Sequence, residues 1–307
     1  MANNIIVKLK RLNRRRESER GENTSDGNIN KNHDSNDKPK QNKKGKLRDK
    51  IVLKVFRINY TKDKSHYYDE FEIPLQKSTT VLDALIYAKS YLDNSIAIRY
   101  SCRMASCGSC GMRINGIPRL ACYTNLSEFE EEDTITCDPL ANFPHIRDLV
   151  TDFTQFYDHH KQMKPYIHNE NADVSNTRQS PLSEFGQSHE DVEKYLQFSY
   201  CIKCGLCYSA CPTVATDTKF PGPQALSQAY RYYIDTRDVM DRDRLKIIDD
   251  RHGIWRCHFA GSCSNVCPKG VDPALGIQLL RGHLMSFSKH GKKIAELMQH
   301  SHGNQLS

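Results

Sequence analysis

The chain has 307 residues, 38% of them aliphatic, aromatic or Cys, and a formal net charge of +7. Residues 1–50 hold 15 Lys and Arg against 7 Asp and Glu, while the remainder holds 29 against 30; the charge belongs to the start of the chain and does not mark the whole as a nucleic-acid binder. Twelve cysteines in this length are too sparse for a disulfide scaffold, and no apolar run reaches the roughly 18 residues of a membrane span.

In chain order, residues 1–49 are rich in Asn, Lys, Arg, Asp and Ser without apolar periodicity. They read as a disordered basic tail, a solvated segment first and a lipid-attracted one second. Arg14-Arg15-Arg16 is followed by no apolar stretch, so no export signal is expected. Thiolates in short loops then read as metal ligands in a reducing compartment. Order is expected from Ile51, with strands over Ile51–Tyr60 and Tyr67–Ile73. Thr80-Val-Leu-Asp83 resembles a capping box, and Val81, Leu85, Ala88 and Leu92 then share one helix face. Past a Cys- and Gly-rich loop, short strands are expected near Met112–Ile114, Arg119–Ala121 and Thr134–Cys137. Together these make a small α+β domain over residues 50–144. Residues 145–290 read as a second, mostly helical domain, with helices over 146–160, 189–200, 224–234 and 272–287 and a polar stretch at 169–188. Residues 291–307 read as a frayed C-terminal tail.

The chemistry lies in the cysteines. Cys102-x4-Cys107-x2-Cys110 followed by Cys122 is the plant-type ferredoxin spacing for a [2Fe–2S] cluster. Gly108 and Gly111 let that loop fold tightly, so that backbone N–H groups point at sulfur. A zinc site built on Cys107 and Cys110 would need a second C-x2-C half, which is missing here.

Cys201-x2-Cys204-x2-Cys207-x3-Cys211-Pro212 matches the bacterial ferredoxin run, in which the fourth Cys ligates the other cluster. The partner run is Cys257-x2-Ala260-x2-Cys263-x3-Cys267-Pro268, with Ala260 where a second Cys would stand. Crossing over, Cys201, Cys204, Cys207 and Cys267 supply four thiolates, enough for a [4Fe–4S] cube. Cys211, Cys257 and Cys263 supply only three. A cube held by three leaves an iron open to substrate or loses it to give [3Fe–4S], and the latter is expected, because the nearby donor His258 is poorly placed for the vacant corner. Fewer thiolates also favour reduction of that centre. Cys137 stands outside the scheme and reads as a small buried hydrophobe.

The sequence contains no G-x-G-x-x-G, P-loop, H-E-x-x-H or C-x-x-C-H, so the chain reads as an electron carrier without its own flavin, nicotinamide or haem.

The order [2Fe–2S], [4Fe–4S], [3Fe–4S] resembles the iron–sulfur subunit of succinate dehydrogenase and fumarate reductase over roughly residues 50–290. Ser101-Cys-Arg through Cys110, Ile146-Arg-Asp-Leu-Val150, Gln155-Phe-Tyr157, Lys164-Pro-Tyr166, Cys201 through Pro212 and Trp255 through Gly270 carry the likeness. It implies a β-grasp [2Fe–2S] domain followed by an α-helical ferredoxin domain. It also implies a partner flavoprotein whose FAD interconverts succinate and fumarate, membrane-anchor subunits, and a quinone as electron acceptor or donor. Pro212, Thr213 and His258 match positions near the family's quinone pocket, and the implied location is peripheral, on the cytoplasmic side of the cell membrane, held by partner subunits. Thr213-Val-Ala-Thr-Asp-Thr218 departs from the family in lacking the Trp of many succinate–ubiquinone members, and the wording Gly205-Leu-Cys-Tyr-Ser-Ala-Cys-Pro212 and the loop length look more like fumarate reductase. The alternatives are the iron–sulfur subunit of a different flavoprotein dehydrogenase and a soluble multi-cluster ferredoxin.

Overall fold

The computed structural model describes residues 50–59, 65–74, 79–129, 132, 134–169 and 186–287. All of these belong to one compact unit. The expected tails at 1–49 and 291–307, and most of the polar stretch at 169–188, lie outside the described residues.

Strands β1 (Lys50–Ile58) and β2 (His66–Pro74) form an antiparallel pair, with Leu53 opposite Phe71 and Val55 opposite Asp69. Helix α1 (Val81–Tyr87) starts at the capping box: the Thr80 hydroxyl accepts from the Asp83 N–H, and the Asp83 carboxylate accepts from the Thr80 N–H. Strands β3 (Gly111–Ile114), β4 (Ile117–Leu120) and β5 (Thr134–Asp138) complete a mixed sheet of order β2-β1-β5-β3-β4, in which only β1 and β5 run parallel. Alternation along β1 buries Ile51, Leu53 and Val55 in one core with Val81, Leu82 and Leu85 of α1. Ala88 is buried with them, but Leu92 is about half exposed. The helix widens into a π-turn over Ala88–Leu92, closed by the Asp93 N–H on the Ala88 carbonyl, and that extra residue rotates Leu92 off the apolar face.

The expected helix over 146–160 is corrected at its start. Residues 145–151 form a small hairpin of β6 (His145–Arg147) and β7 (Val150–Thr151), and helix α2 covers only Thr154–Gln162. Asp148 between the strands has φ +47°, which no helix accommodates. It is held there because its buried carboxylate accepts from the Ile58 N–H at 3.3 Å and the Ala97 N–H at 2.8 Å, beside Arg57. Arg57 also donates to Asp93 and Ser95 at 2.6 Å each, and the Arg57 bond leads the effects that hold the Asp93 carboxyl down at about 2. This polar knot ties β1 to the segments that approach the cysteine runs.

The remaining elements are helical: α3 (His189–Ser199), α4 (Leu206–Ser209), α5 (Pro212–Thr216), α6 (Gly222–Tyr233), α7 (Asp241–Ile248), α8 (Ser262–Asn265) and α9 (Pro273–Phe287). Helix α6 is buried continuously from Gly222 to Tyr230 and packs against α3, α7 and α9. Helix α7 has a weak apolar pattern and was not expected. It is anchored by Arg244, fully buried, which donates to the carbonyls of Met163, Lys164 and Tyr166 and pairs with Asp238. Among the described residues no helix is long and apolar enough to cross a membrane.

Candidate metal centres

The loop from Ser101 to Gly111 wraps sulfur with backbone. Arg103, Ala105 and Gly108 all have positive φ, from 56° to 75°. That curl turns the N–H groups of Met104, Ser106 and Cys107 toward the Cys102 sulfur at 3.2–3.4 Å, and the Ala105 N–H toward the Cys122 sulfur at 3.3 Å. The Ser109 N–H reaches Cys107, and the Cys122 N–H reaches Cys110, each at 3.5 Å. All four predicted cysteines therefore meet in one nest of donors. Hydrogen bonding, led by the Ser109 side chain, lowers the exposed Cys107 thiol to about 6, whereas burial pushes Cys110 up to about 12.

The two later runs share one backbone. Lys203 and Phe259 have φ of 55° and 56°, and each is followed after one residue by a glycine, Gly205 or Gly261, at 79° or 73°. Each glycine then caps a single helical turn, α4 or α8. Position for position, Cys201, Cys204, Cys207 and Cys211 correspond to Cys257, Ala260, Cys263 and Cys267.

Their side chains sort into two clefts. One is lined by Cys201, Cys204, Cys207 and Cys267, together with Gln224, Lys203 and Lys269. The other is lined by Cys211, Cys257 and Cys263, with Pro212, Thr213, His258, Phe259 and Ala260. The fourth cysteine of each run thus crosses to the other run's cleft. Ala260 is exposed beside exposed His258 and Phe259, so the second cleft opens to solvent where a fourth thiol would stand. The three residues expected near a quinone all line that cleft, Pro212 and His258 exposed and Thr213 buried.

Burial, with neighbouring sulfurs adding to it, pushes the Cys204 thiol up to about 12 and the Cys263 thiol to about 11. Such crowded, buried thiols suit a polycationic core, because coordination to iron removes the proton that burial otherwise retains. Among the described residues no three His, Cys, Asp or Glu side chains close on a single-ion position. The donor sets, four, four and three thiols with N–H groups aimed at sulfur, fit iron–sulfur groups.

The first loop rests on the second run. A Cβ on Gly108 would lie 2.7 Å from the Cβ of Cys204 and 2.9 Å from its Cα, so only glycine allows this approach. Several supporting residues carry no sequence signal. Asn142 donates to the carbonyls of Tyr208, Ser209 and Cys211, and Arg281 donates to those of Ile254, Trp255 and Cys257. Each acts from more than 20 residues away, with no motif to mark it. Cys137 lies in β5, fully buried, with its thiol raised by burial, and belongs to the core.

Residues 52–158 match the family model of a 2Fe-2S iron-sulfur cluster binding domain, and residues 197–271 match that of a 4Fe-4S dicluster domain. The chain is 42% identical to the fumarate reductase iron-sulfur subunit of Haemophilus influenzae over 230 residues, 73% of this chain and 89% of that protein. The chain belongs to the family of fumarate reductase and succinate dehydrogenase iron–sulfur subunits. It is also 34% identical to the succinate dehydrogenase iron-sulfur subunit of Coxiella burnetii, over 79% of this chain and all of that protein. A chain of the Mycobacterium smegmatis Sdh1 complex in the apo form superposes with a TM-score of 0.69 at 26% identity, over 78% of this chain and 97% of that one. Within this family the fold is the expected α+β arrangement, a [2Fe–2S] ferredoxin-like domain followed by an α-helical ferredoxin domain. The second family model describes a 4Fe-4S dicluster, whereas this chain brings seven cysteines rather than eight to the two clefts.

Proposed function

We propose that the chain is the iron–sulfur electron-transfer subunit of a succinate dehydrogenase or fumarate reductase complex. In this reading Cys102, Cys107, Cys110 and Cys122 hold a [2Fe–2S] cluster, Cys201, Cys204, Cys207 and Cys267 a [4Fe–4S] cluster, and Cys211, Cys257 and Cys263 a [3Fe–4S] cluster. The observation that carries it is the division of eleven thiols into three adjoining groups of four, four and three. Bound there, the clusters would supply one-electron carriers between a two-electron flavin and a quinone.

The chain's residues hold, space and screen those carriers. Residues 50–144 present the first centre, whose exposed rim of Arg103, Met104 and Cys107 suits an approach by the FAD-bearing partner. Gly108 brings that loop against Cys204, which keeps the first step short. Residues 145–290 hold the second and third centres, joined by the crossing of Cys211 and Cys267. The opening at Pro212, Thr213, His258 and Ala260 suits a quinone held against membrane-anchor subunits. On this reading the chain sits peripherally on the cytoplasmic face of the cell membrane, carried there by those subunits. The dicarboxylate site lies on the flavoprotein.

The test is to purify the assembled complex, confirm flavin, and assay succinate-driven reduction of a quinone analogue and quinol-driven reduction of fumarate. One of the two is expected. A flavin-containing complex with neither activity would sink the reading, and a large subunit acting on another substrate would move the wire to a different dehydrogenase.

A further inference from the structure

Behind the second centre stands a polar pair that neither the family likeness nor the ligand spacing calls for. Gln224, on helix α6, is 1% exposed, and His160, near the end of α2, is 8% exposed. The Gln224 side-chain nitrogen lies 3.2 Å from His160 Nδ1, while the Gln224 Oε1 is buried without a partner. Leaving a buried carbonyl oxygen unpaired is costly, so packing alone does not account for a carboxamide here. The same side chain lines the cleft of Cys201, Cys204, Cys207 and Cys267.

The amide nitrogen has two N–H groups. One reaches His160 Nδ1, which accepts in the Nε2–H tautomer of a neutral imidazole, and burial, with Lys203 adding to it, lowers the His160 pKa to about 4. The other is left for the cleft, whose lining includes Cys201. Turned the other way, the amide would set its oxygen, an acceptor, against an anionic sulfur. His160 therefore does more than fill space. In the Nε2–H tautomer it favours the amide orientation that presents a donor to the cleft and leaves the oxygen unpaired.

We propose that Gln224 is a positioning residue of the second centre: its side-chain N–H, aimed by His160, bonds to the thiolate of Cys201 and raises the reduction potential of the cluster held there. The inference rests on the [4Fe–4S] reading given above. A donor to a ligand sulfur stabilises the more negative, reduced state more than the oxidised one, so its loss makes reduction harder.

The test is EPR-monitored redox titration of the whole complex carrying Gln224→Leu, Gln224→Glu or His160→Leu. Gln224→Leu is expected to lower the [4Fe–4S] midpoint by about a tenfold shift in the reduction equilibrium, ~59 mV for one electron, with the [2Fe–2S] midpoint unmoved. Gln224→Glu should lower it further, and His160→Leu less, because the amide is then free to turn. An unchanged [4Fe–4S] midpoint in Gln224→Leu with full iron content overturns this inference alone. A wild-type complex with no [4Fe–4S] signal overturns the cluster reading and this inference with it. Should the variants not assemble, pulsed EPR of the reduced wild-type complex, labelled with 15N in glutamine side chains, decides the matter. A nitrogen coupling supports the bond, and its absence overturns it.

Discussion

The runs at 201–212 and 257–268 use the same backbone twice, with matching positive φ at Lys203 and Phe259 and at Gly205 and Gly261. They differ in one ligand and in their surroundings. The first run is enclosed: the loop of the [2Fe–2S] centre covers Cys204, Phe143 and Phe153 press on Gly205, and Gln224 backs the cleft. In the second, His258, Phe259 and Ala260 are exposed, and a Cβ on Gly261 would meet nothing within 4 Å. Identical local geometry has thus been turned to two purposes. On the proposed reading the closed site keeps four thiols for its cluster, and the open one lacks a thiol at the corner that faces outward.

The largest effect is expected from Cys204→Ala, which writes the second run's gap into the first. The second centre should lose an iron or fail to assemble, measured as iron per complex and loss of the [4Fe–4S] EPR signal. An intact signal would mean that the enclosed site does not depend on its fourth thiol. The reverse change, Ala260→Cys, restores the missing ligand at an exposed position. The oxidised-state [3Fe–4S] signal should vanish and the centre's potential should fall; a persistent signal would show that the two runs are not equivalent at this position.

Acid should act on the enclosed run. His160 is buried and neutral, its pKa lowered from 6.5 to about 4 by burial. The unfolded chain therefore binds the proton first as pH falls. Stability is undiminished above pH 6.5, declines below it, and the loss is complete near pH 4, amounting to at most about 3 kcal/mol. Thermal melts of the complex at pH 7 and pH 5 should show the decline, and His160→Phe should flatten it. The smallest effect separates the two glycines. Gly205→Ala and Gly261→Ala impose the same backbone strain, but only the first collides, with Phe153 at 2.8 Å. The first should cost about 1–3 kcal/mol more than the second, read as the difference in melting temperature, and equal losses would erase the contrast between enclosed and open sites.

Much of this was legible in the chain itself. The strand alternation at Ile51–Val55, the Thr80–Asp83 box and the Cys-x2 spacings are all local, so they can be read from neighbours. The local pattern at 146–151 reads as helix, and the structure forms a hairpin there because Asp148 is held by the N–H groups of Ile58 and Ala97, 90 and 51 residues away. Helix α7 was missed because a buried Arg244, rather than an apolar stripe, fixes it to the fold.

By itself the sequence determined how many thiols stand in each run, their register, and the vacancy at Ala260. A ligand loop is a few residues long, and its spacing is set by the size of the group it grips. Only the tertiary structure decided that Gly108 lies against Cys204, that the enclosed run is backed by Gln224 and His160, and that the vacancy faces solvent. Those relations join residues tens of positions apart, brought together by burial of the apolar faces of many elements at once, and no local pattern records which distant side chain will be waiting there.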